Sequence, residues 1–279
     1  MQIRELLKNS KVPSLDAEVL LAYVLGEDRE YLIAWGEKEV ARDLVLLFGE
    51  YEKRAVEGHP VAYIVGKKEF YGLDFFVDKR VLIPRPETEM LVAEVLAYLK
   101  ENSERKNHWK ILDVGTGSGN IAVSIAKNLI EVDVEIEAVD VSEDALEVAR
   151  VNAAQHGVDD RIHFFQGDLL EFAEEGEKFD VIVANLPYIG TMKNNFVEGN
   201  VKKYEPNSAL FGGGDGLELY KKLFQQICDK KIRLEAMFGE FGDEQTEELK
   251  ELLNKYFEHE WRIEKDLAGI DRLFVVNRV

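Results

Sequence analysis

The chain of 279 residues holds one cysteine, Cys228, so no disulfide can close within it and no zinc site can be built on thiolates. Its five histidines, His59, His108, His156, His163 and His259, never fall at the spacing of zinc ligands, and no structural metal is expected. No apolar run approaches the roughly 20 residues needed to span a bilayer. The opening MQIRELLKNSKVPSLDAE also lacks the uninterrupted apolar segment of a secretory leader, so a cytoplasmic protein is expected. Basic side chains are scarce: 35 Lys and Arg stand against 54 Asp and Glu, a net charge of −19. A field of that sign opposes sequence-independent wrapping of a nucleic acid backbone. With 46% hydrophobic and 32% charged residues the chain is nonetheless a folding sequence and not a disordered one.

The length suits one large α/β domain or two smaller ones. The first 57 residues read as helical. Leu6 and Leu7 belong to a short opening helix, and Ala17, Leu20, Leu21 and Val24 repeat at helical spacing until Gly26 stops the run. A longer periodic segment spans Val40 to Val56, with Leu44, Leu47, Phe48 and Tyr51 on its buried side and Gly58 and Pro60 beyond its end. From Glu69 to Ile83 aromatic and β-branched residues surround Gly72, the pattern of two short strands and a turn. The boundaries expected are a helical domain over 1–68 that can help hold a macromolecular substrate, a β-hairpin linker over 69–85, and a larger domain over 86–279. In that larger domain strands are expected at Trp109–Val114, Glu135–Asp140, Ile162–Phe165, Phe179–Ala184, Arg233–Phe238, His259–Lys265 and Arg272–Asn277, alternating with helices until the last two. Such alternation makes a mostly parallel sheet covered on both faces, with an antiparallel pair at its closing edge.

Residues 111–122, ILDVGTGSGNIA, place Gly115, Gly117 and Gly119 where a strand turns into a helix and its backbone can approach a ligand closely. The next strand ends in Asp140, where a carboxylate can accept hydrogen bonds from both ribose hydroxyls of an adenosine. Asp113, just before the glycines, suits a pyrophosphate poorly and a cationic ligand well. Asp168, in QGDLL, is placed to bond an adenine amino group, with the Leu169 backbone donating to the ring. S-adenosylmethionine has the ribose and the positive groups, so it is favoured over a dinucleotide. The plain alternative makes Asp113 or Asp168 a turn former.

The strand FDVIVA runs directly into Asn185-Leu186-Pro187-Tyr188, at the carboxyl edge where open α/β sheets bind ligands. The Asn185 side-chain oxygen and the Leu186 carbonyl can both accept from one planar NH2, Pro187 restricts the backbone, and Tyr188 offers a flat face. An amide or aromatic amino nitrogen is a poor nucleophile, and orienting it in line with a methyl donor supplies much of what a displacement needs. A turn around Asn-x-Pro with Tyr188 in the core is the bland alternative.

Four stretches resemble one family closely: GHPVAYIVGKKEFYGLDFFVDKRVLIPRPETE (58–89), ILDVGTGSGNIAVSIA (111–126), NLPY (185–188) and EPNSALFGGGDGLELY (205–220). They are similar to the protein-(glutamine-N5) methyltransferases of the HemK/PrmC type, and DLAGIDRLFVV (266–276) resembles that family's end. The resemblance implies a class I S-adenosylmethionine-dependent methyltransferase (Rossmann-like) domain with a seven-stranded sheet, a small N-terminal helical domain and a β-hairpin linker. It implies methylation of the glutamine side chain in the Gly-Gly-Gln motif of class 1 peptide chain release factors. A monomer with no membrane attachment and no stable nucleic acid binding is expected besides. Asn185 and the Leu186 carbonyl would hold the substrate amide, with Pro187, Tyr188, Pro84, Arg85, Glu87 and Thr88 lining its pocket. Gly115, Gly117, Asp140, Asp168 and Leu169 would contact the cofactor, beside Asp113, Thr116, Gly119, Val141 and Asn185. Arg85 and Glu87 can alternatively pair with each other and lock the linker.

One departure stands out. The family's tetrad is usually Asn-Pro-Pro-Tyr, and Leu186 replaces the first proline here, as in ribosomal RNA adenine-N6 dimethyltransferases. An RNA substrate would call for a basic surface, which the charge balance denies. A non-catalytic binding protein that kept the fold is the third reading. The acid residues concentrate at 131–149, which has no Lys or Arg, and at 235–260; they are expected to form mainly solvated face, with Asp140 the exception. An acidic enzyme suits a basic protein that itself works on RNA.

Overall fold

The computed structural model describes residues 1–130, 132–190, 199–257 and 261–277. Residues 1–67 form one unit, which also includes a helix at 199–204. Its helices are α1 (Ile3–Lys8), α2 (Ser14–Leu25), α3 (Arg29–Ala34), α4 (Arg42–Val56) and α5 (Val61–Val65). The repeat Ala17, Leu20, Leu21, Val24 is buried on α2, and Gly26 ends that helix in the left-handed conformation at φ 68°. These side chains meet Ile3, Leu6, Leu32 and Phe48 in one small core. Helices α3 and α5 add to the expected pattern, and α4 starts at Arg42 instead of Val40.

The second unit holds the other described residues, from Lys68 onward. A hairpin of β1 (Lys67–Phe70) and β2 (Leu73–Phe76) leads through a 3-10 turn at Pro86–Thr88 into α6 (Glu89–Glu101). There follow β3 (His108–Val114), α7 (Asn120–Asn128), β4 (Asp133–Asp140), α8 (Glu143–His156), β5 (Ile162–Gln166) and β6 (Val181–Ala184). After α9 (Gly199–Tyr204), the helix that groups with the first unit, come α10 (Glu218–Asp229), β7 (Ala236–Glu240), α11 (Thr246–Tyr256), β8 (Trp261–Lys265) and β9 (Asp271–Asn277). Glu131, and His259 at the expected start of β8, lie outside the described residues.

The seven-stranded sheet runs in the order β5-β4-β3-β6-β7-β9-β8. Neighbours from β5 to β7 are parallel, and β9 is antiparallel to both β7 and β8. The expected antiparallel pair is therefore present, with β9 inserted between β7 and the edge. The inner strands β6 and β7 are buried throughout, as parallel strands covered on both faces must be. Apart from Lys67, the hairpin groups with this unit. The Asn152 side chain on α8 accepts from Phe76 N at 2.7 Å and donates to Phe76 O at 3.0 Å, so the β2 edge is satisfied by a side chain. Ser142 caps α8 by accepting from Ala145 N at 3.2 Å, as its position predicts. No helix among the described residues is long and apolar enough to cross a membrane.

Candidate active site

The carboxyl ends of β3, β4 and β6 open onto a cavity of about 330 Å³. Its floor is the turn after β3, where Gly115 N and Thr116 N donate to the Val139 carbonyl at 2.8 and 3.0 Å. The turn is tied to β4 a second time, because Gly117 N donates to Asp140 Oδ2 at 2.9 Å while Ser142 N donates to Oδ1 at 2.9 Å. Burial raises the Asp140 pKa against those backbone donors. Across the cavity Leu169, at φ 57°, and Asp168 complete the opposite wall. Lys222 on α10 holds Asp168 Oδ2 at 2.5 Å, so a ligand amino group would share that carboxylate with an ammonium.

The wall brings together Pro84, Arg85, Thr88, Gly115, Thr116, Gly117, Asp140, Val141, Asp168, Leu169, Asn185, Leu186 and Pro187. Four expected site residues stand off it. Asp113 is fully buried behind the turn, its Oδ2 accepting from Thr116 Oγ1 at 2.7 Å and Ala122 N at 3.3 Å. Through these bonds it holds the turn onto α7 and does not face a cationic ligand, and burial pushes its carboxyl up to about 7. Gly119 lies under α8, where a Cβ would come within 3.1 Å of the Ala149 Cβ; its role is close helix packing. Glu87 is exposed, and the Arg85–Glu87 pair does not form. Arg85 instead meets Glu205 Oε1 at 2.6 Å, and the buried Glu205 also accepts from Ile83 N at 3.1 Å. Tyr188 turns its hydroxyl to Glu240 Oε1 at 3.3 Å and presents no face to the cavity wall.

Leu186 is 2% exposed, and its Cδ2 lies 3.0 Å from where a Cβ on Gly115 would sit. The departure from Asn-Pro-Pro-Tyr thus places an aliphatic side chain over the glycine turn, where the absence of a Cβ makes room for it.

Glu240, at the carboxyl end of β7, is the site residue that sequence reasoning missed. It is 2% exposed, an exception beyond Asp140 to the mainly solvated acids; Glu137, 7% exposed and paired with Lys110 at 2.7 Å, is another. Asn185 Nδ2 donates to Thr88 Oγ1 at 2.9 Å and to Glu240 Oε2 at 3.1 Å, and Thr88 Oγ1 donates to the same Oε2 at 2.7 Å. The available signal was an acid at the end of a sheet strand, as at Asp140, but β7 was expected to end at Phe238.

The strand order, the glycine turn after β3 and the acid ending β4 define a class I S-adenosylmethionine-dependent methyltransferase. The cavity fits that cofactor: carboxylates stand at the end of β4 and after β5, where they can accept from ribose hydroxyls and an adenine amino group. Residues 105–254 match a methyltransferase domain model and residues 1–66 the PrmC N-terminal domain. The release factor glutamine methyltransferase of Koribacter versatilis is 38% identical over 94% of this chain and 90% of its own length. That of Bacillus subtilis is 40% identical over 92% and 88%. The chain belongs to the release factor glutamine methyltransferases. Among solved structures, the catalytic domain of hMettl16 in complex with an RNA hairpin aligns with a TM-score of 0.57 at 16% identity, over 74% of this chain and 76% of that one. That likeness shows the shared fold alone.

Proposed function

We propose that the chain transfers the methyl group of S-adenosylmethionine to the side-chain N5 of the glutamine in the Gly-Gly-Gln motif of class 1 peptide chain release factors. The observation that carries the reading is the Asn185 carboxamide. Its NH2 is committed to Thr88 and Glu240, and among the described residues nothing donates to its Oδ1. Oδ1 and the Leu186 carbonyl are then two acceptors for the two N–H bonds of a primary amide, a match that selects an NH2 and aligns its plane.

When bound, the cofactor supplies an electrophilic methyl on a sulfonium. Asp140 would hold its ribose and Asp168 with the Leu169 backbone its adenine. The amide nitrogen is weakly nucleophilic because its lone pair is delocalised, and acceptors on both hydrogens raise its electron density while holding it in one direction. Alignment of this kind contributes several of the roughly 7–11 kcal/mol that perfect orientation can supply. The nitrogen becomes acidic once methylated and releases a proton to water, so a strong base is unnecessary. Neither Asp113, fully buried, nor Tyr188, whose phenol is held protonated chiefly by burial, is needed as one. Our reading of a cytoplasmic enzyme follows from a release-factor substrate, and the net charge of −19 supports a basic protein partner over RNA itself.

Purified protein with labelled S-adenosylmethionine and either a release factor or ribosomal RNA tests this. Label is expected on the Gly-Gly-Gln glutamine, located by peptide mass spectrometry. Label in RNA and none in the protein would overturn the reading.

A further inference from the structure

The Asn185 carboxamide has two orientations of nearly identical shape and opposite chemistry. With Oδ1 toward the cavity it accepts from a substrate NH2; turned over, it sets donor against donor. The choice is made at its inner end. We propose that Glu240 is the positioning residue that selects the productive orientation of the Asn185 amide, acting as a carboxylate both directly and through Thr88. This rests on the methyl-transfer reading of the site and adds to it a residue that touches neither substrate nor cofactor.

The hydrogen bonds run in one direction. Thr88 commits its only proton to Glu240 Oε2 at 2.7 Å, so its oxygen can offer Asn185 nothing but a lone pair. Glu240 Oε2 itself accepts from Asn185 Nδ2 at 3.1 Å. Both groups at the inner end are acceptors, and only the NH2 end of the amide satisfies them. Protonation of Oε2 reverses this. The carboxylic acid would donate to Thr88, the threonine proton would be free to turn toward Asn185, and the inverted amide would gain a donor for its Oδ1, so the inner end would no longer exclude it. The Glu240 backbone is held in place, because its carbonyl accepts from Tyr220 Oη at 2.5 Å and it pairs with Leu273 in β9.

The charged and titratable groups that face this carboxylate are few. Arg272 on β9 favours the anion, Glu87 ahead of α6 opposes it, and the Tyr188 hydroxyl donates to Oε1. The Tyr220 phenol on α10 stays protonated by burial. Desolvation outweighs the rest and raises the Glu240 carboxyl to about 7, so the orientation it imposes changes within the physiological range.

The test compares wild type with Glu240→Gln, Thr88→Val and Thr88→Ser. In ligand-free protein the Asn185 side-chain ¹H–¹⁵N signal, assigned by its loss in Asn185→Ala, is followed between about pH 5.5 and 9. It is expected to titrate near neutrality in wild type and Thr88→Ser and to lose that titration in Glu240→Gln, whereas Thr88→Val keeps a titration through the direct Glu240 contact. Turnover on a release factor is expected to fall on the order of 100-fold in Glu240→Gln and Thr88→Val through kcat, with KM and S-adenosylhomocysteine affinity retained, and to recover in Thr88→Ser. Wild-type kcat should decline as pH falls through about 7, and that limb should vanish in Glu240→Gln. An Asn185 signal indifferent to pH in wild type, or full kcat in Glu240→Gln, overturns the inference. Absence of transfer by wild type overturns the functional reading instead, and the resonance still tests Glu240 separately.

Discussion

Replacing Asn185 by aspartate changes one NH2 into an oxygen and almost nothing else, so it reports on what that end of the side chain faces. In the structure Nδ2 lies 3.1 Å from Glu240 Oε2, and Glu240 is 2% exposed. Asn185→Asp therefore sets two carboxylates about 3 Å apart, with a mutual repulsion of roughly 5 kcal/mol at an effective dielectric constant of 20. The pair avoids that cost by keeping one proton, which raises its folded pKa well above the values in the unfolded chain. The sign follows: the variant's stability is present at acid pH and is lost as pH rises through the folded pKa of the pair. Thermal melts of the ligand-free protein at acid, neutral and alkaline pH are the assay, with Asn185→Ala as the reference that adds no second charge. Asn185→Asp should melt close to Asn185→Ala in acid and fall on the order of 10 °C below it in alkali, given 2–4 °C per kcal/mol for a chain of this size. Parallel pH profiles for the two variants would show that position 185 does not face Glu240, and the frame built on it would fall.

Asn185→Ala removes the acceptor offered to the substrate amide; kcat should fall about 10²–10³-fold while calorimetry shows near-normal S-adenosylhomocysteine binding, and undiminished turnover would refute the role given to Asn185. Arg85→Ala strands the buried Glu205 carboxylate with one donor, Ile83 N, and should cost about 3 kcal/mol in urea unfolding, the low end for such a pair because Arg85 is 32% exposed. An unchanged midpoint would mean that the pair does not form in solution. Gly212→Ala drives a Cβ to 2.0 Å from the Pro187 carbonyl, so the tetrad must shift and both melting temperature and turnover should drop. Gly49→Ala in α4, with open space around it, should instead stabilise by roughly 0.5–1 kcal/mol. Equal melting temperatures for these two variants would contradict the packing described around the tetrad.

Elements with several turns or a strong local signal were readable without coordinates. The α2 stripe and its glycine stop, the Ser142 cap on α8 and the glycine turn between β3 and α7 each lie within a dozen residues of sequence. Helices α3 and α5 were not singled out, because six and five residues are too few to establish a helical period; α1, equally short, was marked only by its Leu6-Leu7 pair. Strand β7 was expected two residues short of its observed end. An acid reads locally as the beginning of a loop, whereas its place in the ladder depends on a partner, Leu273, more than thirty residues away.

The same division runs through the site. Asp140 and the Asn185 tetrad announce themselves because each terminates a strand whose apolar run is plain in the sequence, and sheet topology carries such ends to one edge. What holds the tetrad in a working orientation is not local. Thr88 meets Glu240 across 152 residues and Arg85 meets Glu205 across 120, and nothing in the sequence around Glu240 or Glu205 marks either among 54 acidic side chains. Composition and spacing determined which chemical groups this protein carries and on which strand ends they fall. Only the packed sheet decided which carboxylates lose their water, and a carboxylate without water must be satisfied by whatever donors the fold has placed beside it.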